Sequence, residues 1–429
     1  MGDRRQKPEA SVVITGASEI ITCTENARDL IGRIENGCVA IAGDRIVAAG
    51  AREEVNRAVD TSGAAVIDAT GKVVAPGFVD CHTHLVFGGS RVREYAARMT
   101  TDDPADLQWM GIETGIMVSV KMTRQASEEE LFTSARARLL RMLAAGTTTL
   151  ESKSGYGLTT VDEIKMLRVN ARLGKETPVD IVSTFLGAHG WPPDVSREMY
   201  IDMLIGEMIP WVAGIGVATF CDVWCDDGHF TTADSERILE AAAGAGLRPK
   251  IHTDAYSYIG GSDLAADMRM ASADHLNYTP PEALGKLAGS GVPGVLLPGI
   301  DFAVRHPRPV NARAVVDAGV TVALATNLCP GGWTESMQLV MALACRNHRL
   351  SPAEALRAAT LGGAKALGLE SDRGSLEPGK LADIQVWDVP SYEHVIYRLG
   401  GNVVDKVIKR GKVVVEGGRV IVNGDGGTH

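Results

Sequence analysis

His82-Thr83-His84 closes the apolar run Lys72-Val73-Val74-Ala75-Pro76-Gly77-Phe78-Val79-Asp80-Cys81. Side chains two apart on an extended segment point to the same side, so both imidazoles can reach one metal ion. Three more histidines each follow a strand-like run, in Gly187-Ala188-His189, Lys250-Ile251-His252 and Ala273-Asp274-His275. His82, His84 and His252 could give three nitrogen ligands to a divalent metal and leave room for water or substrate, the open arrangement of a catalytic site. Such a metal lowers the pKa of bound water toward neutrality and makes hydroxide at pH 7. His189 and His275 are candidates for hydrogen-bonding a substrate carbonyl or the attacking water. Any one of the five alone reads as a hydrogen-bonded core histidine. Their common position after strand-like runs favours a site.

Arg91 lies in a Gly-rich segment, Gly88-Gly89-Ser90-Arg91, where a guanidinium suits two-pronged capture of a small carboxylate; its plainer reading is a surface arginine. In Lys153-Ser154-Gly155-Tyr156-Gly157 the glycines allow close backbone approach and Tyr156 offers a hydroxyl to substrate. Trp191, Trp224 and Trp333 read as walls around the site. Cys221 and Cys225 flank Asp222-Val223-Trp224, a strand-like stretch, so they read as structural cysteines and not as a zinc pair.

These residues need a frame that aligns strand ends. Eight strand-like runs follow residue 73: Val73–Val79, Thr147–Glu151, Ile181–Leu186, Cys221–Trp224, Pro249–His252, Ala273–Leu276, Gly294–Leu297 and Val320–Thr326. Helical segments separate most of them, which predicts an α/β fold with a closed (β/α)8 TIM-like barrel. One such helix is announced by Ser127 and Glu130, a capping-box pair, with Leu131, Ala135, Leu139, Met142 and Leu143 forming a stripe that stops at Gly146. An insertion around Arg91–Arg124 fills the gap after the first run. The chemistry-bearing residues sit at the C-terminal ends of the runs, the face where such barrels keep their active sites. Both chain ends are short and β-like, with turn signals at Asn36-Gly37 and Gly43-Asp44. Residues 1–75 and 377–429 are therefore expected to form one small β-sandwich domain, with residues 76–376 as the barrel.

The 429 residues suit one large domain plus a smaller one, and a net charge of −10 argues against nucleic acid or an anionic membrane as partner. Met1–Lys7 carries charge with no apolar stretch behind it, so no signal peptide is expected, and Gln6 stands where a myristoylation motif has Ser or Thr. No run approaches the roughly 18 apolar residues of a membrane span. Seven scattered cysteines suggest reduced thiols in a cytoplasm. A homodimer is the default expectation for such an enzyme.

Together these segments resemble the amidohydrolase superfamily and, within it, the imidazolonepropionase family of histidine degradation. The resemblance is carried by Pro76–Arg91, Lys153-Ser154-Gly155-Tyr156-Gly157-Leu158, Thr184-Phe185-Leu186-Gly187-Ala188-His189, Ser272-Ala273-Asp274-His275 and Gly374–Asp383. It implies zinc or iron on His82, His84 and His252, substrate held by Arg91, Tyr156 and His189, and a reaction centre polarised by His275. The implied reaction is hydrolytic opening of a five-membered imidazolone ring with a propionate tail.

Three departures stand out. The family pattern carries Asp after the eighth strand, in Ala-Thr-Asp-x-Asn-Pro-Gly, where this chain reads Ala325-Thr326-Asn327-Leu328-Cys329-Pro330-Gly331. Asn327 can still offer the metal an oxygen, but a neutral amide is a poor proton acceptor. Ala255 stands three residues beyond His252, where the family usually has Glu or Gln, and Asp106–Ile116 replaces the family's Tyr and Gly-Gly-Gly stretch. A general acid–base group contributes about 10²–10⁴-fold in rate, so its loss must be met elsewhere or the reaction must differ. His275, Asp254, Glu151 or His229 could take the proton. A 2-thioxo ring that loses sulfide would need less help with the departing group. A catalytically silent barrel that binds a small acid and deamination of an exocyclic amine are the remaining alternatives.

Overall fold

The computed structural model describes residues 7–421 apart from 26 and 28, so the reading of Met1–Gln6 lies outside the described residues. Two compact units emerge. One comprises Met1–Asp80, Leu140–Thr149 and Ser336–His429; the other comprises Cys81–Leu139 and Leu150–Glu335.

An eight-stranded sheet runs in chain order through Phe78–Asp80, Thr147–Lys153, Asp180–Ala188, Phe220–Cys225, Arg248–Thr253, Ala273–His275, Gly294–Leu296 and Val322–Leu324. Phe220 lies opposite Arg248, Ile251 opposite Ala273 and Gly294 opposite Val322, all in parallel register. Parallel strands in chain order with helices between them are the (β/α)8 arrangement. Past the strand ends the ring is tied shut, since Asn327 N donates to His82 O and His84 N to Leu328 O. Helix starts follow local chemistry. Ser127 N donates to Glu130 Oε2 at 2.8 Å and Glu130 N to Ser127 Oγ at 3.2 Å, ahead of the helix Glu128–Ala144. Thr231 and Asp234 form a second capping box on Thr232–Gly244.

The first strand-like run divides where one continuous strand was expected. Val73–Pro76 pairs antiparallel with Ile384–Trp387 in a different sheet, and only Phe78–Asp80 belongs to the barrel. Gly77 marks the break, because a Cβ there would lie 2.2 Å from Thr148 Oγ1.

The β-rich unit holds a four-stranded sheet (Arg45–Ala51, Gly37–Ala42, Val12–Thr15, Ala65–Asp68) and a seven-stranded sheet. The latter combines Glu19–Ile21, Arg33–Glu35 and Val73–Pro76 with Ile384–Trp387, Val404–Lys409, Lys412–Glu416 and Arg419–Val420. Ile14, Ile41 and Ile46 of the first sheet join Ile20, Val74, Ile384, Val386 and Ile408 of the second in one buried cluster. Both chain ends thus supply one sandwich, as the sequence predicts. Gly43-Asp44 turns a true hairpin, with Ala42 opposite Arg45. Asn36-Gly37 does not: it is a corner at which the chain leaves one sheet for the other, with Asn36 at φ 50°. No helix among the described residues is long and apolar enough to cross a membrane.

Candidate active site

His82, His84 and His252 are buried, and one ligand nitrogen of each lies within 4.8 Å of the others. His82 Nδ1 is 2.6 Å from Asp274 Oδ2, and His252 Nδ1 is 2.9 Å from Asp222 Oδ2, off the line of an ideal hydrogen bond. A carboxylate facing Nδ1 places the hydrogen there and leaves Nε2 as a lone-pair donor to a metal. Nε2 of His82 and of His252, Nδ1 of His84 and Oδ1 of Asn327 are buried without a hydrogen-bond partner. Burial, reinforced by Lys153 at His82 and by His189 at His84, pushes both pKa values well below the ordinary histidine range. Imidazoles with unpaired nitrogens beside an unpaired amide oxygen fit a divalent cation, and these four residues would hold it. Backbone strain gathers at the same strand ends, with φ 87° at His275, 63° at Leu276 and 48° at Asn327.

A cavity of about 480 Å³ opens on this group, lined by His84, Arg91, Tyr156, His189, His252, His275 and Asn327. His82 sits behind it. Arg91 grips Glu94 with two prongs, Nε to Oε2 at 2.7 Å and Nη2 to Oε1 at 2.8 Å, so Nη1 keeps both of its N–H groups for a further partner. Arg98 Nε adds 3.1 Å to the same carboxylate; burial would raise the pKa of Glu94, but Arg91 and Arg98 outweigh it and hold it low. His189 Nδ1 lies 3.1 Å from Gly155 O, which places the hydrogen on Nδ1 and leaves Nε2 as an acceptor. Burial then lowers its pKa to about 3. Gly155 is required there: it has φ 106°, and a Cβ would meet Leu186 O at 2.8 Å and His189 Nδ1 at 3.0 Å. Burial raises Tyr156 well above its usual range, so its hydroxyl keeps its proton.

Three alternative proton acceptors lie elsewhere. Asp254 accepts from Thr253 at 2.8 Å and Thr279 at 2.6 Å and is not on the cavity wall. Glu151 is held beneath the site by Lys153 at 3.0 Å and Lys250 at 2.9 Å. His229 stacks on Trp224 with ring centroids 3.5 Å apart and lines a separate cavity. Ala255 is buried away from the wall, its neighbour Tyr256 taking the place on it. Trp224 does line the cavity, whereas Trp191 packs on Phe230 and Trp333 on Phe87.

Sequence reasoning missed Glu94, Asp222, Asp274, Lys153 and Lys250 as parts of the site. A signal existed for the last four. Charged residues inside buried strands, as in Phe220-Cys221-Asp222-Val223 and Pro249-Lys250-Ile251-His252, are costly unless paired, and Glu151 and Lys153 are two apart on one strand face.

Two family models described as "Amidohydrolase family" match residues 65–178 and 224–414. An imidazolonepropionase of Geobacillus kaustophilus (strain HTA426) is 46% identical, over 96% of this chain and 97% of that one. The imidazolonepropionase of Shouchella clausii (strain KSM-K16) is 42% identical, over 98% and 94%. This chain belongs to the imidazolonepropionase family of amidohydrolases. Among solved structures, a zinc-bound adenosine deaminase from Xanthomonas campestris matches with a TM-score of 0.74 and 19% identity, covering 98% of this chain and 96% of that one. An atrazine chlorohydrolase variant from Arthrobacter aurescens, complexed with zinc and atraton, matches at 0.72 and 20%, covering 96% and 97%. These likenesses show the shared fold. Within the imidazolonepropionase frame the altered insertion forms three helices, Val92–Arg98, Pro104–Trp109 and Ile116–Gln125. It meets the cavity through Glu94, Tyr95, Arg98, Met99, Asp102, Gly115 and Ile116, while Trp109 is 87% exposed. The departure after the eighth strand is instead central, with Asn327 and Cys329 both on the cavity wall.

Proposed function

We propose that this chain is a metal-dependent hydrolase that opens a five-membered cyclic amide with a propionate-type tail, and that its substrate is 4-imidazolone-5-propionate. The observation that carries this reading is one cavity whose wall brings His84 and His252 of the three-histidine ligand group together with Arg91, Tyr156 and His189. The cofactor is one divalent ion, zinc or iron, both of which accept imidazole ligands. When bound it supplies Lewis-acid polarisation and a water of lowered pKa.

The chain's own residues do the rest. Arg91 Nη1 takes the tail carboxylate while Glu94 fixes the plane of the guanidinium. His189 Nε2 accepts from a ring N–H, and the Tyr156 hydroxyl donates to a ring acceptor. His275, kept neutral by burial, lines the cavity as the group assigned to polarise the reaction centre. Asn327 offers its amide oxygen toward the ion. In the overall reaction the ring C–N bond breaks, the oxygen of water ends in the new carboxylate, and the ring nitrogen leaves with a proton. The remaining expectations are a small carboxylate substrate from Arg91, neither nucleic acid nor an anionic membrane as partner from the net charge of −10, a homodimer as the common default, and a cytoplasmic setting from the scattered cysteines.

A second reading is favoured by one observation. The acidic residues on the cavity wall are Glu94, engaged by two arginines, and Asp102, which pairs with Arg305 at 3.2 Å. A 2-thioxo ring with the same tail would expel sulfide as water adds to the thioxo carbon, leaving a carbonyl, and sulfide departs with less proton help than a ring amide. The test runs metal-replete protein on both rings in ¹⁸O water. Imidazolone opening with label in the new carboxylate supports the first reading, and sulfide release without imidazolone opening supports the second. Inertness toward both, at the rate of metal-stripped protein, refutes the two together.

A further inference from the structure

Beneath the histidines lies a set of buried charges that the proposed chemistry leaves unused: Glu151, Lys153, Asp222, Lys250 and Asp274, all with fully buried side chains. One part of it has the spacing of a second metal group, His82 with Glu151 and Asp274. That place is already taken by cations, since both lysines reach Glu151 and Asp274.

Lys153 is the node. Its Nζ lies 2.6 Å from Asp222 Oδ2, 3.5 Å from Asp274 Oδ2 and 3.0 Å from Glu151 Oε1. Lys250 reaches only two of these, at 2.9 Å from Glu151 and 3.8 Å from Asp274, and donates to Cys81 O at 3.2 Å. The carboxylate oxygens on Lys153 are the ones that face the ligands: Asp274 Oδ2 meets His82 Nδ1, and Asp222 Oδ2 meets His252 Nδ1. Carboxylates gathered on one ammonium repel each other in a low-dielectric interior, and Lys153 is the cation that bridges the two ligand-facing oxygens, while the other oxygens accept from His252 N and Ser272 Oγ. The two aspartates reach this node from Phe220–Cys225 and Ala273–His275, strands that both flank Arg248–Thr253, through rotatable side chains.

We infer that Lys153 is a positioning residue for the metal site, setting His82 and His252 at once through Asp274 and Asp222. The inference rests on the metal-site reading above. It makes a prediction of unexpected sign. As a bare positive charge near a divalent cation, Lys153 repels the metal, so direct Coulomb action alone has its removal tighten binding. Positioning has the removal loosen it.

The experiment follows zinc release from zinc-loaded, full-length protein to a chromophoric chelator in wild type, Lys153→Met, Asp222→Asn and the double variant. Loss of outer-shell support costs about 10–100-fold in metal affinity, and Lys153→Met is expected to release zinc faster by a factor in that range. Release at the wild-type rate or slower overturns the inference. Should Lys153→Met fail to fold, the double variant, which removes one charge of each sign, is compared with Asp222→Asn. Faster release from the double variant upholds positioning through Asp274, and equal or slower release overturns it. ¹⁵N NMR of the metal-free protein gives the signature that a merely structural role would not move: Nδ1–H tautomers at His82 and His252 in wild type, and mixed tautomers in Lys153→Met. Unchanged tautomers overturn the inference. If wild type itself binds no zinc, the metal-site reading fails, a result distinct from any of these.

Discussion

Replacing Arg91 by lysine separates tail recognition from ring chemistry. Arg91 spends Nε and Nη2 on the two oxygens of Glu94, at 2.7 and 2.8 Å, and has Nη1 left for a substrate carboxylate. Lysine has one nitrogen and cannot serve Glu94 and substrate together in this geometry. Since Glu94 is buried and already charged, lysine is expected to pair with it and leave the substrate tail without its partner. A hydrogen bond to a charged group is worth about 1.5–3 kcal/mol, which translates to about 10- to 150-fold in kcat/KM. The assay compares wild type and Arg91→Lys on the tail-bearing imidazolone and on the same ring with a methyl group in place of the propionate. The expected loss falls on the tail-bearing substrate, mostly in KM, while the tail-less ring is turned over alike by both proteins. Equal losses on the two substrates would refute the assignment and make Arg91 a structural residue of the cavity wall.

Other perturbations test other parts of the site. Asn327→Asp places a carboxylate at the cavity wall and is expected to raise imidazolone turnover by at least about 10²-fold, read as kcat at saturating substrate. Gly155→Ala forces a Cβ against Leu186 O and His189 Nδ1 at a left-handed φ; it should cost about 1–3 kcal/mol in urea unfolding and lower turnover through displacement of His189. His189 has its pKa lowered by burial to about 3, so between pH 6.5 and 3 the unfolded chain binds a proton there and the folded chain does not. Stability of the metal-free protein should therefore fall as pH drops through that window, by about 1.4 kcal/mol per pH unit for this residue. The loss should be reduced in His189→Gln; an unfolding free energy that stays flat from pH 6.5 to 4 contradicts the shift.

Much of this was legible in the chain. Strand-like runs end in polar residues, so His82, His84, His189, His252 and His275 group together from sequence alone, and the barrel follows from the count of runs. Two kinds of feature were not legible. The division of Val73–Val79 at Gly77 depends on Thr148, more than seventy residues away, occupying the space a Cβ would need. The turn at Asn36-Gly37 has hairpin chemistry, yet its flanking strands belong to different sheets because each pairs elsewhere: Arg33–Glu35 with Glu19–Ile21, and Gly37–Ala42 with Val12–Thr15 and, through the next hairpin, Arg45–Ala51. In the site, Glu94 escaped notice because acidic residues on short surface helices are common, and only the fold shows it buried against Arg91 and Arg98. The choice among proton acceptors likewise needed three dimensions: Asp254, Glu151 and His229 are near in sequence to site residues and are each committed elsewhere.

The central claim, a single metal site on His82, His84 and His252 that runs ring hydrolysis, is tested most directly by titrating metal-free protein with zinc or ferrous ion. Turnover of 4-imidazolone-5-propionate, run beside the 2-thioxo analogue, is followed at each addition. The account predicts activity on one of these rings rising linearly to one equivalent of metal per chain and then holding level, with no such rise in His252→Ala. Turnover that is unchanged by metal, or a wild-type response retained in His252→Ala, would contradict it.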